Sequence, residues 1–130
     1  MTNERSSPKH PSFVIRQADP FNGGPNLEHL AASPTTPNEH FFVRSHGTVP
    51  VIDATAFRLR VRGVATTDLW LSLQDLRDGF ERVEVEATLQ CAGNRRQELM
   101  AARAIPNEVA WGPEAISHGR WAGVRVRDVL

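Results

Sequence analysis

Two short runs of the chain carry residue types suited to chemistry. The first is Cys91-Ala92-Gly93-Asn94-Arg95-Arg96, which contains the only cysteine. Positive neighbours favour thiolate over thiol, and a thiolate is both a nucleophile and a soft metal ligand. A free cysteine is otherwise a small buried hydrophobe, and spacing alone leaves both readings open. A nucleophilic role needs an imidazole base. His10, His29, His40, His46 and His118 are available, but nothing in the spacing sets one of them beside the thiol. The second run, Phe41-Phe42-Val43-Arg44-Ser45-His46-Gly47, joins an aromatic pair to a guanidinium, a hydroxyl and an imidazole. Such a segment suits a phosphate or another anion, and it equally suits a solvated arginine beside a structural histidine.

The elements that must position these runs are legible in part. Val83 to Gln90 alternates apolar and polar residues, with Val83, Val85, Ala87 and Leu89 on one side, so Cys91 is expected at the end of a strand. Gly93-Asn94 then predicts a turn, and residues 97–104 a short helix. Phe57 to Gly63 also alternates, which predicts a half-buried strand with Arg58, Arg60 and Arg62 on its wet face. Ser72, with Asp75 three residues on, predicts a capped helix carrying Leu73, Leu76 and Phe80 on one side and stopped by Gly79. Residues 115–123 read as a loop, and residues 124–130 turn apolar again without a closing Gly, Pro or polar cap. The chain is therefore expected to be part of a longer domain.

Residues 1–40 hold six of the nine prolines and the Gly23-Gly24 pair, so only short regular pieces are expected there. Phe13, Val14, Ile15, Phe21, Leu27 and Leu30 supply anchors for an ordered arm, with the body at residues 41–130. The 130 residues carry 15 basic and 15 acidic side chains, and the formal net charge is zero. Nucleic-acid and anionic-membrane binding both work through an excess of Lys and Arg, so neither is expected. All the basic residues but Lys9 are arginine, whose planar fork suits small bidentate anions. One cysteine excludes an internal disulfide framework and any zinc site of several thiolates. No membrane span, apolar signal-peptide core or twin-arginine pair is visible, so a soluble, cytoplasmic protein is expected.

The run at 91–96, preceded by Ala87-Thr88-Leu89-Gln90, is similar to the molybdenum-ligating segment of the sulfite oxidase family, which includes the molybdenum domain of assimilatory nitrate reductases. Phe42-Val43-Arg44-Ser45-His46 resembles that family's Phe-x-Arg-Asn-His segment ahead of a Val-Pro pair. Trp111, Ala115-Ile116-Ser117, Trp121-Ala122-Gly123-Val124 and Asp128-Val129-Leu130 match downstream positions. Pro25-Asn26-Leu27-Glu28 and Thr36-Pro37-Asn38-Glu39 resemble the lead-in of bacterial members.

The resemblance implies an α+β, β-rich molybdopterin-binding domain, here as its N-terminal portion only, truncated before its later part. It implies a molybdenum–molybdopterin cofactor with Cys91 as the metal's thiolate ligand. Phe42, Val43, Arg44, Ser45 and His46 would line the pterin. Arg44, Arg96 and Trp111 would form the anion pocket beside the metal. The implied reaction is oxygen-atom transfer to or from a small oxyanion, foremost sulfite to sulfate, with electrons passing to an external cytochrome or haem protein. The alternative is a non-catalytic remnant, or a cofactor-binding module of the same fold. Two positions depart from the family pattern. Ser45 stands where an Asn is usual, which removes an amide. Glu114 stands where a Gly is usual; a positive backbone φ would resist it there, and it would bring a negative charge toward an anion pocket. The implied later part would carry a catalytic Tyr, and this chain has no tyrosine. An isolated half-domain is expected to expose apolar surface and to be marginally stable.

Overall fold

The computed structural model describes residues 8–63 and 68–130, so the first seven residues of the 1–40 arm lie outside the described residues. The elements run β1 (Val14–Gln17), β2 (Asn22–Gly24), α1 (Leu27–Ala31), β3 (Val43–Arg44), β4 (Leu59–Val61), β5 (Leu69–Leu71), α2 (Leu73–Gly79), β6 (Arg82–Gln90), α3 (Arg96–Ala102), β7 (Ile116–Val124) and α4 (Val126–Val129). This is a mixed α and β fold with small sheets: β1-β2-β3, β4-β5 and β6-β7. The chain divides into two compact units, residues 1–49 with 86–119, and residues 50–85 with 120–130, so the division falls within both β6 and β7. No helix among the described residues is long and apolar enough to cross a membrane.

The first unit holds both runs singled out above. Its three-stranded antiparallel sheet pairs Val14 with Gly24, Ile15 with Gly23, and Gln17 with Asn22, and then Asn22 with Arg44 and Gly23 with Val43. The two glycines of β2 answer to close approach. A Cβ on Gly23 would lie 2.6 Å from the Val14 carbonyl oxygen, and one on Gly24 would lie 2.5 Å from that of Glu114. Neither backbone can yield cheaply. Of the expected anchors, Phe13 is buried, whereas Ile15 and Leu27 are more than half exposed. The small core of this unit is Phe42, Trp111 and Ala115, with Phe41, Cys91 and Val109 packed against it.

The second unit pairs β4 with β5 in antiparallel register, Leu59 with Leu71 and Val61 with Leu69. Arg60 bonds Asp68 and sits 5.1 Å over the Trp70 ring. The helix expected at Ser72 is there, with a complete capping box. Asp75 N–H donates to Ser72 Oγ at 3.0 Å, and Asp75 Oδ2 accepts from the Ser72 N–H at 2.8 Å and from its hydroxyl at 2.6 Å. Gly79 is the last helical residue rather than the stop, and Phe80 caps the end in extended backbone.

The Ser72 hydroxyl and then the Ser72 N–H hold the Asp75 carboxyl below its ordinary pKa of 3.8. A depressed carboxylate pKa stabilises the fold fully above the unfolded value, and that support is lost as pH falls through the lower folded value. The N-terminal amides of α2 are therefore expected to stay protected down to that range and to exchange faster below it. A pH series of amide exchange at Asp75 and Leu76 measures this, and no change below pH 3.8 would rule it out.

Two expectations need correction. Residues 115–123 are not a loop: Ile116–Val124 is a nine-residue strand paired with β6. Its glycines and polar residues carry little strand propensity of their own, so the ladder to β6 supplies what local chemistry lacks. The apolar side of β6 is also less covered than its alternation implied, with Val85 55% and Leu89 47% exposed.

Candidate functional site

Cys91 follows β6 directly, and the turn after it is laced to residues 109–115. Cys91 N–H donates to Ala115 O at 2.9 Å, Arg95 N–H to Gly112 O at 2.8 Å, and Gln97 N–H to Trp111 O at 2.8 Å. The Asn94 side chain closes the lattice by accepting from Ala115 N–H at 3.0 Å. Inside the turn, Asn94 N–H donates back to Cys91 O at 2.9 Å and Gly93 N–H lies 3.4 Å from Cys91 Sγ. Arg95 takes the left-handed backbone region, φ 64°, at the start of α3. Such a conformation is costly for a non-glycine residue and is held only where surrounding bonds over-determine it. Here the turn's own hydrogen bonds do so.

Cys91 is half-buried and packs against the Phe42–Trp111–Ala115 core. Phe42 is tied in by its N–H, which donates to the buried Ser117 Oγ at 3.1 Å. Arg96 arrives from α3. Its guanidinium lies over Gly93, where a Cβ would come within 2.6 Å of Nη2, and it donates to Val109 O at 3.1 Å and pairs with Glu108 at 2.7 Å. Trp111 is fully buried, and its Nε1 has no hydrogen-bond partner. A buried donor without an acceptor is costly, and it leaves capacity for an anionic group brought to this cluster. The structure thus gathers Cys91, Arg96, Trp111 and Phe42 into one place.

Val43, Arg44, Ser45 and His46 form the end of β3 and the segment beyond it. Arg44 is exposed, and its guanidinium turns back on the Ser45 carbonyl and on His46 Nδ1, the latter at 3.1 Å. The buried Asn22 side chain holds the Ser45 backbone from both sides, accepting from its N–H at 2.8 Å and donating to its carbonyl at 3.0 Å. Asn22 therefore positions this segment. No local motif marked it, because its partner is 23 residues away.

Glu114 does not sit at a positive φ; among the described non-glycine residues only Arg95 and Asn107 do. Nor is its charge loose. It is almost fully buried and accepts from Arg16 Nε at 2.5 Å and from Gly112 N–H at 3.3 Å. Arg16 was not singled out in the sequence, since the pair spans 98 residues. The structure also places the histidines. His118 Nδ1 lies 2.9 Å from Thr88 Oγ1, while His10, His29 and His40 cluster together.

The first unit thus presents one half-buried thiol at a strand end, on a turn fixed by backbone bonds and followed by Arg95 and Arg96. The sequence profile described as "Oxidoreductase molybdopterin binding domain" matches residues 46–130, and the chain belongs to that family. It is similar to sulfite oxidase from Gallus gallus, 46% identical over 95% of this chain and 27% of that protein. It is also similar to mitochondrial sulfite oxidase from Homo sapiens, 43% identical over 94% of this chain and 22% of that protein. A third relative is the NAD(P)H nitrate reductase of Hordeum vulgare, 40% identical over 94% of this chain and 14% of that protein. The chain spans about a quarter of the length of the two sulfite oxidases. The cofactor that the family implies is molybdenum–molybdopterin. The donor set fits it: a soft sulfur that accepts an N–H bond, and an unpartnered buried indole N–H in the same cluster.

Proposed function

We propose that the chain belongs to a molybdenum-cofactor oxidoreductase of the sulfite oxidase type, which moves an oxygen atom to or from a small oxyanion, sulfite to sulfate before nitrate. The observation that carries this reading is the Cys91 turn, held by backbone bonds to residues 111, 112 and 115 with its sulfur half-buried on the Trp111 core. In this reading Cys91 is the metal's protein ligand, and Phe42, Val43, Arg44, Ser45 and His46 line the pterin. Residues 1–40 are an arm, and residues 41–130 are the N-terminal part of the cofactor-binding domain. The cofactor, when bound, supplies the two-electron oxygen-atom chemistry.

The chain's own residues bind and orient. The Gly93 N–H meets Cys91 Sγ at 3.4 Å, and the lattice to Ala115 holds the turn that carries that sulfur. Arg44 and Arg96 supply guanidinium forks for an anionic substrate, and Trp111 Nε1 a single neutral donor. Arg96 is held by Glu108 and Val109 O, which fixes its fork and tempers its charge. Arg44 must leave the Ser45 carbonyl and His46 to reach an anion. Electrons leave to an external carrier such as a cytochrome or haem protein.

Metal and pterin analysis of the chain, expressed in a host that makes the cofactor, tests the reading, followed by sulfite-to-acceptor and nitrate assays. Near-equimolar molybdenum with sulfite turnover is the expected result. Absence of molybdenum under conditions that load a full-length relative would sink it. Molybdenum without turnover would identify a cofactor-binding module without catalysis.

A further inference from the structure

Three histidines that the site above does not use converge in the first unit. His10 lies in the turn before β1, His29 on α1, and His40 in the turn that leads to β3. Their ring centroids are 4.7 Å apart for His10 and His29, 4.6 Å for His10 and His40, and 4.2 Å for His29 and His40. One ring nitrogen from each lies within 4.8 Å of the other two. His40 is 7% exposed, and its Nδ1 is buried with no hydrogen-bond partner. The other two rings are half-buried, so the cluster is lined on its inner side and open on its outer one.

We propose that His10, His29 and His40 form a site for a divalent transition-metal cation, a three-imidazole clasp that joins the arm to the segment ahead of β3. Stacking alone accounts for the ring contacts but not for a buried ring nitrogen of the same cluster left without a partner. A metal accounts for both. With Nδ1 of His40 on the metal, its Nε2 faces Glu39 Oε1 at 3.6 Å, the carboxylate partner that a ligating imidazole commonly has. Ser12 Oγ lies 2.7 Å from His10 Nδ1, where it can accept the ring proton once Nε2 holds the metal. The Ser12 N–H at 3.2 Å competes for the same nitrogen in the metal-free chain.

A tetrahedral Zn2+ with Zn–N bonds of about 2.0–2.1 Å holds its nitrogens about 3.3 Å apart, so the rings must draw in by about 1.5 Å at most. Rotation of the two half-buried imidazoles, His10 and His29, supplies that. The fourth position is open to water. Imidazole donors select Zn2+, Co2+, Ni2+ or Cu2+ over Mg2+ and Ca2+. Lys9 opposes any cation by its charge, but its ammonium is engaged by Asn38 O at 2.6 Å and Phe41 O at 2.8 Å and lies over the Phe13 ring.

Zinc chloride titrated into metal-free chain at neutral pH, against a chromophoric chelator, tests the clasp. One equivalent is expected to bind with Kd at or below about 10 μM, and His29→Gln is expected to weaken it by about 100-fold. Co2+ should give the intense visible bands of a tetrahedral site, and Mg2+ should not compete. His10→Gln repeats the test at a half-buried ring, so a misfolded His40 variant does not decide the matter; circular dichroism checks each variant. Absence of a site tighter than about 100 μM, or binding unchanged by both His29→Gln and His10→Gln, would overturn the proposal. So would binding lost in Cys91→Ser but kept in the histidine variants, which would place the ion on the thiol.

Discussion

Cys91→Ser is expected to lower sulfite turnover per bound molybdenum by about 100-fold or more, because a hydroxyl is a poor donor to a soft metal at neutral pH while a thiolate is a good one. The replacement is nearly isosteric, and of the surrounding bonds only the Gly93 N–H contact at 3.4 Å involves sulfur, for which a hydroxyl can also accept. Cys91 N–H and C=O engage Ala115 and Asn94 through the backbone, and the turn is closed by backbone bonds from Arg95 and Gln97. Stability should therefore fall by no more than about 1 kcal/mol, the loss of a half-buried thiol from an apolar contact. Sulfite turnover and elemental analysis of wild type and variant, purified alongside each other with a urea unfolding curve for each, separate ligand loss from misfolding. Equal turnover per bound molybdenum in the two would remove Cys91 as the essential ligand and with it the central step of the functional reading.

Where local chemistry sets the outcome, the sequence was enough. The α2 capping box is made by residues three apart, so Ser72 and Asp75 announce it. The alternation from Val83 to Gln90 set β6 and delivered Cys91 to its end, because a period of two is a property of the strand itself. The Cys91 turn was legible for a different reason: its six residues resemble a known metal-ligating segment. What stayed hidden was set by distance in the chain. β7 contains Ser117, Gly119 and Gly123 and becomes a strand only against β6. The histidines at 10, 29 and 40 have no metal-ligand spacing, and only the folding of three separate segments brings their rings together. Glu114 looked like a negative charge near an anion pocket because its countercharge, Arg16, comes from β1. Large exposed apolar residues, among them Val51 at 85% and Val126 at 71%, agree with the apolar surface expected of this chain.

That pair underlies the second large effect. Arg16→Met is expected to destabilise the chain by about 2–3 kcal/mol, at or just below the range of about 3–5 kcal/mol for breaking a fully buried ion pair, because Arg16 is partly exposed. The reasoning turns on which partner is stranded. The Glu114 side chain is 4% exposed and that of Arg16 is 26% exposed, so removing the arginine leaves a buried carboxylate with the Gly112 N–H as its remaining donor. Removing the carboxylate instead frees an arginine that water already reaches. Glu114→Gln keeps an acceptor for both Arg16 Nε and Gly112 N–H and should cost about 1 kcal/mol. The double variant should be less destabilised than the two singles added, with a coupling of about 1–2 kcal/mol. Urea unfolding of the four chains measures the cycle, and Arg16→Met within about 0.5 kcal/mol of wild type would show that solvent reaches Glu114. The consequence extends to the thiol. Glu114 precedes Ala115, whose carbonyl takes the Cys91 N–H and whose own N–H is held by Asn94. Gly24 meanwhile packs so closely on the Glu114 backbone that even a methyl group is excluded. Loosening Arg16 therefore loosens the segment against which the Cys91 turn is built, and molybdenum content should fall in Arg16→Met while holding in Glu114→Gln.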